Sequence, residues 1–366
     1  MKNSFGNSLV ITLFGESHGE YIGAVIDGLA PGIKINHEYI KNKLALRRPS
    51  GKISTARVEA DEYEIASGVF NGFTTGTPLC LLIKNTNKRS SDYGEMFDIP
   101  RPGHADFTAR AKYHGFEDHR GGGHFSGRIT AALVAVGGIL GAALEDKGIF
   151  IGSHITELHG AFDRPFDDIE ADIRLVNQKQ FPTFTDSAEE SMKKEIEKAA
   201  SLGDSVGGIL ESGIIGLPEG LGEPWFDSME SMLSHGLFSI PGVKGVEFGL
   251  GFAFADVYGS EGNDSFTVSE GKVITESNNN GGINGGITNG MPVIFRTAIK
   301  PTPSIFKEQG SVSLSKMENT PLKLNGRHDP AIIHRARAVV DAMAAIVIAD
   351  MLTVRYGTDY LATRES

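Results

Sequence analysis

The chain nearly lacks cysteine: Cys80 is the only one among 366 residues. That excludes an internal disulfide framework and fits a reducing, cytoplasmic setting. Long apolar runs are missing too. The longest uncharged stretch, Ile129 to Leu144, falls short of the roughly 20 residues a bilayer span takes. It is rich in Ala and Gly and is expected to form a buried helix against which other elements pack closely. No basic region followed by an apolar stretch stands at the N-terminus, so neither a secretory leader nor a membrane partner is expected. Basic residues are outnumbered, 35 against 46 acidic, for a net charge of -11, which argues against a nucleic-acid binder. There is no G-x-G-x-x-G and no Walker A lysine motif, so Rossmann and P-loop nucleotide sites are not expected. The histidines His104, His114, His119 and His124 could ligate a metal, but their spacing matches no zinc signature and no cysteine helps, so no metal is assigned.

What the chain has in abundance is glycine, 46 residues or about one in eight, set between apolar strand-like runs. Two glycine patterns repeat. Gly68-x3-Gly72-Phe73-Thr74-x-Gly76-x-Pro78 matches Gly282-x3-Gly286-Ile287-Thr288-x-Gly290-x-Pro292, and Gly28-Leu29-x-x-Gly32 matches Gly216-Leu217-x-x-Gly220 upstream. The order suggests two halves built on one plan. Helices are expected over 186–200, 127–147 and 331–354, and strands over 8–13, 21–27, 78–84, 206–215, 245–256 and 292–299. Strands and helices without strict alternation point to a layered α+β fold. No linker stands out. The expectation is one domain, 1–366, with an acidic helical insertion around 157–203.

Charge is unevenly spread. Residues 157–230 hold 17 Asp and Glu against 6 Lys and Arg, which accounts for the whole net charge. Residues 34–57 carry Lys34, Lys41, Lys43, Arg47, Arg48, Lys52 and Arg57 against one acid, Glu38, and so are expected to draw a small anion. An exposed helix is the plain alternative.

Three clusters hold most of the remaining chemistry. In Phe14-Gly15-Glu16-Ser17-His18-Gly19, an imidazole lies between glycines directly after an apolar run, placed to exchange protons near neutral pH. The same residues spell G-x-S-x-G, so a hydrolase with Ser17 as nucleophile competes; that elbow, however, belongs between a strand and a helix, and Tyr21–Asp27 reads as a strand. The second cluster runs from Arg101-Pro102-Gly103-His104 to Gly121-Gly122-Gly123-His124-Phe125-Ser126-Gly127-Arg128. Successive glycines expose backbone N–H groups, and the following helix adds its positive end, which suits an anion. The third joins Lys300-Pro301-Thr302-Pro303-Ser304 to Gly326-Arg327-His328-Asp329, with His334 and Arg335 beyond. Arg327 can fork to a phosphate or carboxylate, while Asp329 can serve as a base or cap the next helix.

In this order the clusters resemble chorismate synthase over nearly the whole chain. The resemblance rests on Phe14–Gly19, Arg47-Arg48-Pro49, Gly68–Pro78, Arg101–Asp106, Gly121–Gly123, Asp204–Gly207, Gly220–Pro224, Val243–Glu247, Gly281–Gly286, Lys300–Ser304 and Gly326–Pro330. It implies a layered β-α-β sandwich, a cytoplasmic homotetramer, and a lyase of the shikimate pathway feeding aromatic amino acid biosynthesis. The implied reaction converts 5-enolpyruvylshikimate 3-phosphate to chorismate and phosphate by 1,4-elimination, with reduced FMN as transient electron donor. By resemblance His18 keeps the reduced flavin protonated, His104 protonates the leaving phosphate, and Asp329 assists proton removal at the flavin. Cofactor contacts carried over are His124, Phe125, Ser126, Pro241, Gly242, Gly285, Lys300, Pro301, Thr302, Pro303, Ser304 and Arg327. Substrate contacts are Arg48, Arg57, Ser17, Arg128 and Arg335. Whether such an enzyme reduces its own flavin from NADPH (the NADP-linked activity of some members) is left open by the resemblance. One departure is plain: the family usually reads Gly-Gly-Gly-Arg-Ser-Ser-Ala-Arg, where this chain has His124-Phe125-Ser126-Gly127-Arg128 after the glycines. A catalytically impaired flavin- or anion-binding relative is therefore a further alternative.

Overall fold

In the computed structural model, which describes residues 2–49, 53, 61–86, 98–324, 326 and 328–363, the chain builds one structural unit twice. The first half comprises β1 (Ser4–Phe5), β2 (Val10–Gly15), β3 (Tyr21–Asp27), α1 (His37–Arg47), β4 (Tyr63–Ser67), β5 (Leu79–Lys84), α2 (Asp106–Tyr113) and α3 (Thr130–Glu145). Its sheet has the order β1-β2-β3-β5-β4, antiparallel throughout. The second half comprises β6 (Phe150–Leu158), β7 (Ala161–Phe162), α4 (Ile169–Val176), α5 (Asp186–Ser201), β8 (Gly208–Ile215), α6 (Met229–Phe238), β9 (Val243–Phe248), β10 (Val293–Ile299) and α7 (Ile333–Tyr356). Its antiparallel sheet runs β9-β10-β8-β6-β7. Thus β2-β3-β5-β4 maps onto β6-β8-β10-β9, α1 onto α6, and α3 onto α7.

The repeat extends to single hydrogen bonds. Thr74 Oγ1 donates to Ala30 O (2.6 Å) and accepts from Ile33 N (2.8 Å), while Gly32 N donates to Thr74 O (2.8 Å). In the second half Thr288 Oγ1 donates to Pro218 O (2.6 Å) and accepts from Leu221 N (2.9 Å), and Gly220 N donates to Thr288 O (2.7 Å). These turns clip a short hairpin (69–74 and 283–288) onto the end of β3 and β8 respectively.

The two sheets enclose a helical layer. Alternating residues of β3 (Ile22, Ala24, Ile26) and β5 (Leu79, Leu81, Ile83) are fully buried on the inner face, as the period of a strand with one wet side requires. Every residue of α3 from Ala131 to Leu144 is buried. With the short turn before it, this helix is apolar and long enough to cross a membrane, but 94% of its most apolar window is buried inside the fold. Its glycines matter: a Cβ on Gly137 would lie 2.3 Å from Ala342 Cβ, so α3 and α7 can touch only without one. Side-chain caps start three helices, Asn36 for α1, Thr185 for α5 and Ser228 for α6.

The strand expected over 245–256 stops at Phe248. Gly249 and Gly251 take left-handed φ values of 55° and 57°, and a 3-10 segment follows, leaving Phe252 exposed instead of paired. The strand expected over 8–13 runs Val10–Gly15. β4, β6, α2 and α6 were not anticipated; α1 falls where an exposed helix stood as the alternative, and α4 within the expected acidic helical insertion. The acidic stretch holds α4 and α5, with α4 covering the outer face of the second sheet, where Gly152 and Gly213 lie against Ile173 and Ile169.

Candidate functional site

One cavity of about 1230 Å³ opens where the connections of both halves meet. From the first half come the β2–β3 turn with His18, the end of α1 with Arg47, then Asp61, Arg101 to His104, and Gly121 to Arg128. From the second come Pro241 to Lys244, Lys300 to Ser304, His328, Asp329 and Arg335. Seven Lys and Arg side chains line it against two Asp (Lys2, Arg47, Arg101, Arg128, Lys244, Lys300, Arg335; Asp61, Asp329). In a chain of net charge -11 that concentration marks an anion site.

The triple glycine organises the floor. Gly121, Gly122 and Gly123 all take positive φ (63°, 84° and 54°), turning the chain so that two of them face histidines. A Cβ on Gly121 would sit 2.5 Å from His18 Cδ2 and 2.6 Å from its Nε2; one on Gly122 would sit 3.4 Å from His104 Nε2. The two imidazoles therefore approach the same backbone turn, and glycine is what leaves room for them. Ser17 N donates to Gly123 O (3.0 Å), tying the His18 turn to it, and His124 Nδ1 contacts Gly15 O at 2.7 Å.

Behind His18 lies a buried ion network. Asp61 binds Arg47 Nη1 (3.0 Å) and Arg128 Nη1, and Arg128 Nε donates to Asn85 Oδ1 (2.9 Å). Asn85 Nδ2 in turn donates to Glu16 O and Gly19 O, both at 3.0 Å, clamping the turn on either side of Ser17-His18. Beside His104, Asp106 accepts from Arg101 and contacts His104 Nδ1 at 2.6 Å. Burial pushes the Asp106 carboxyl up, but hydrogen bonds from Arg101 and His104 outweigh it and hold it well below the usual carboxylate range.

The second half supplies the opposite wall. Lys300 Nζ donates to Gly103 O (2.5 Å) and Arg101 Nη1 to Ser304 Oγ (3.3 Å), joining the two histidine- and lysine-bearing segments. Burial first, then the Lys244 ammonium, lowers the Lys300 pKa below its ordinary value. Asp329 pairs with Arg335 (2.7 Å) and its carbonyl accepts from Thr302 Oγ1 (2.7 Å); Arg335 Nε also reaches Arg47 O (2.8 Å), bridging the halves.

Of the residues singled out from sequence, His18, His104, His124, Phe125, Ser126, Arg128, Pro241, Gly242, Lys300, Pro301, Thr302, Pro303, Ser304, Asp329 and Arg335 all line this cavity. Arg57 and Arg327 lie outside the described residues. Arg48 is not in the lining; it closes α1, while its neighbour Arg47 faces the cavity. Gly285 is exposed at the turn of the 283–288 hairpin and is not in the lining. Ser17 is buried behind the turn, and its hydroxyl has no hydrogen-bond partner among the described residues. It stands between two strands and not on a strand-to-helix elbow, so it lacks the setting of a serine nucleophile. Asp61, Asn85, Asp106 and Lys244 were missed as site residues. Asp106 had a signal, two residues after His104 in the Arg-Pro-Gly turn; Asp61 and Asn85 had none, since only folding brings them to Arg128.

Known proteins point one way. A family model described as chorismate synthase matches residues 9–353. A chorismate synthase of Thermococcus gammatolerans is 48% identical over 350 residues, spanning 96% of this chain and 97% of that one. One from Methanosarcina barkeri is 48% identical over 354 residues, spanning 95% of each. A crystal structure of a chorismate synthase superposes with a TM-score of 0.74 at 28% identity, covering 98% of this chain and 95% of that one.

Proposed function

This chain belongs to the chorismate synthase family, a carbon–oxygen lyase of the shikimate pathway, and on that premise we propose that its cavity eliminates phosphate from 5-enolpyruvylshikimate 3-phosphate with reduced FMN bound alongside. The allylic C–O bond to phosphate and one ring C–H bond break; phosphate and a proton leave, and chorismate forms with no net redox change. The observation that carries the reading is the pair His18 and His104 facing one glycine turn inside a cavity where cations outnumber carboxylates seven to two.

The residues present suit both ligands. The volume of about 1230 Å³ exceeds what one small ligand fills. Gly121 and Gly122 leave room for the His18 and His104 rings at the cavity floor, and the Ser17 hydroxyl, unpartnered among the described residues, lies beside Gly121. Apolar side chains such as Phe125, Ile332 and Met343 suit a flat ring, and Lys244 and Lys300 suit a phosphate. On this reading His124 to Ser126, Pro241, Gly242 and Lys300 to Ser304 hold FMN, while Arg47, Arg128 and Arg335 hold the substrate's phosphate and carboxylates. When bound, reduced FMN supplies transient electron density to the breaking C–O bond and recovers it. His104 delivers a proton through Nε2 to the departing phosphate oxygen. His18 holds a proton at the ring nitrogen facing Gly121, and Asp329, fixed by Arg335 and Thr302, accepts one. Each such proton transfer is worth about 10²–10⁴-fold.

Self-association as a homotetramer in the cytoplasm belongs to the same proposal; the exposed Trp225, Phe226 and Phe252 support it, as aromatic surface suits an interface. Reduction of FMN from NADPH is a separable property, read out as NADPH oxidation by the protein with FMN. The main test is anaerobic turnover of purified protein with chemically reduced FMN. Phosphate and chorismate should appear in equal amounts with reduced FMN and not with oxidised FMN. Failure of the folded protein to release phosphate with reduced FMN would refute the proposal.

A further inference from the structure

The contacts of His104 with Arg101 and Asp106 fix more than its position. His104 Nδ1 lies 2.6 Å from Asp106 Oδ1 and 3.0 Å from Arg101 Nη2. Arg101 spends Nε, its backbone N–H and one Nη2 hydrogen on the carboxylate: Nε and the backbone N–H reach Oδ2 at 2.8 and 3.0 Å, and Nη2 reaches Oδ1 at 2.8 Å, so the closer 2.6 Å carboxylate contact, and not Nη2 at 3.0 Å, decides the Nδ1 proton. Three donated hydrogen bonds with a guanidinium among them keep Asp106 ionised, so it can only accept. Two acceptors 2.6 Å apart repel; the contact is attractive only with a proton on Nδ1. That leaves Nε2, which faces Gly122, as the nitrogen available to the cavity.

We propose that Asp106 is a positioning residue for His104: it keeps one ring proton on Nδ1, so that the second, carried on Nε2 when the ring is an imidazolium, is the one delivered in the cavity. This rests on reading His104 as the proton donor. The charged groups around the ring are Asp106 and Arg101, with Lys300 anchored on the adjacent Gly103 carbonyl. Asp106 is also the first residue of α2, where any carboxylate favours the helix start, so a purely structural role is the rival reading.

The test is Asp106→Asn, with His104→Ala as the assignment control. In the variant Arg101 still needs an acceptor and takes Oδ1, which turns the new amide's N–H toward His104 and makes Nδ1 the acceptor. Long-range 1H–15N correlation spectra of histidine-labelled protein should show neutral His104 with its proton on Nδ1 in the unsubstituted protein and on Nε2 in the variant. Turnover should fall by about 10²-fold or more, with KM within about threefold. A neutral His104 with its only proton on Nε2 in the unsubstituted protein would overturn the proposal even if the variant did not fold. An unchanged His104 spectrum in a folded variant would overturn it too, and would leave only the helix-start role. A switched tautomer with undiminished turnover would uphold the positioning of the ring and sink the donor role assigned to His104.

Discussion

The first half joins β2 to β3 through residues 16–20 and places His18 in that turn; the second joins the equivalent β6 and β8 through residues 159–207, which carry α4 and α5. No residue of the long connection lines the cavity, and its α4 covers the back of the sheet, whereas the short one points into the cavity. After the last strand of each unit the pattern is reversed toward likeness: residues following β5 and residues following β10 both return to the cavity, one bringing His104 and the glycine turn, the other Lys300 to Ser304 and Asp329. A duplicated scaffold thus supplies two sheets and two core helices, and its unequal loops supply the chemistry.

The sharpest way to break this picture is to fill the glycine turn. Gly121→Ala drives a methyl into the His18 ring and should cut turnover at least about 10³-fold while the fold survives, by steady-state phosphate release; near-normal activity would mean that His18 does not work there. His104→Ala should lower turnover by about 10²–10⁴-fold without unfolding the chain. The repeat itself is tested by Thr74→Val and Thr288→Val, which remove the same hydroxyl from the same turn. Each should cost about 1–3 kcal/mol in urea denaturation, and by similar amounts, with kcat little changed. A large disparity would show that the two turns only look alike.

The smallest effect separates the two core helices. α3 buries no ionisable side chain between Ala131 and Leu144, but α7 buries His334, Arg337, Asp341 and Asp350. Burial, with Arg335 nearby, lowers the His334 pKa to about 3 from 6.5. The folded state therefore holds this ring neutral while the unfolded chain takes up a proton, so its stability is intact above pH 6.5 and lost as pH falls toward 3. Between pH 7 and 5.5 the loss should be about 1 kcal/mol, and His334→Phe should lose that much less over the same interval in thermal melts.

Much of this architecture could be read before folding. β3 matched at both ends, because Tyr21 to Asp27 alternates between one wet and one dry face, and α7 stood out through its apolar run from Ala342 to Ala349. β6 was missed for a tertiary reason. Its Gly152 and Ser153 look unlike a core strand, yet Gly152 makes room for Ile173 of α4 and Ser153 Oγ donates to Asp341 of α7 (2.5 Å). The 245–256 strand failed the opposite way, since apolar residues there are exposed on a glycine-broken turn. In the site, the histidines and glycines were legible because their spacing is local. The Arg47–Asp61–Arg128–Asn85 network was not, because its members come from four separate segments and no spacing relates them.

The decisive question is whether chemistry from the two halves acts on one bound substrate. A double-mutant cycle on kcat/KM for phosphate release, using His18→Ala from the first half and Asp329→Ala from the second, answers it. Coupled groups should give a double variant better than the product of the singles, with an interaction of at least about 1 kcal/mol. Losses that simply add, to within about 0.5 kcal/mol, would mean that the two residues serve separate events and that the shared cavity is not where the reaction is made.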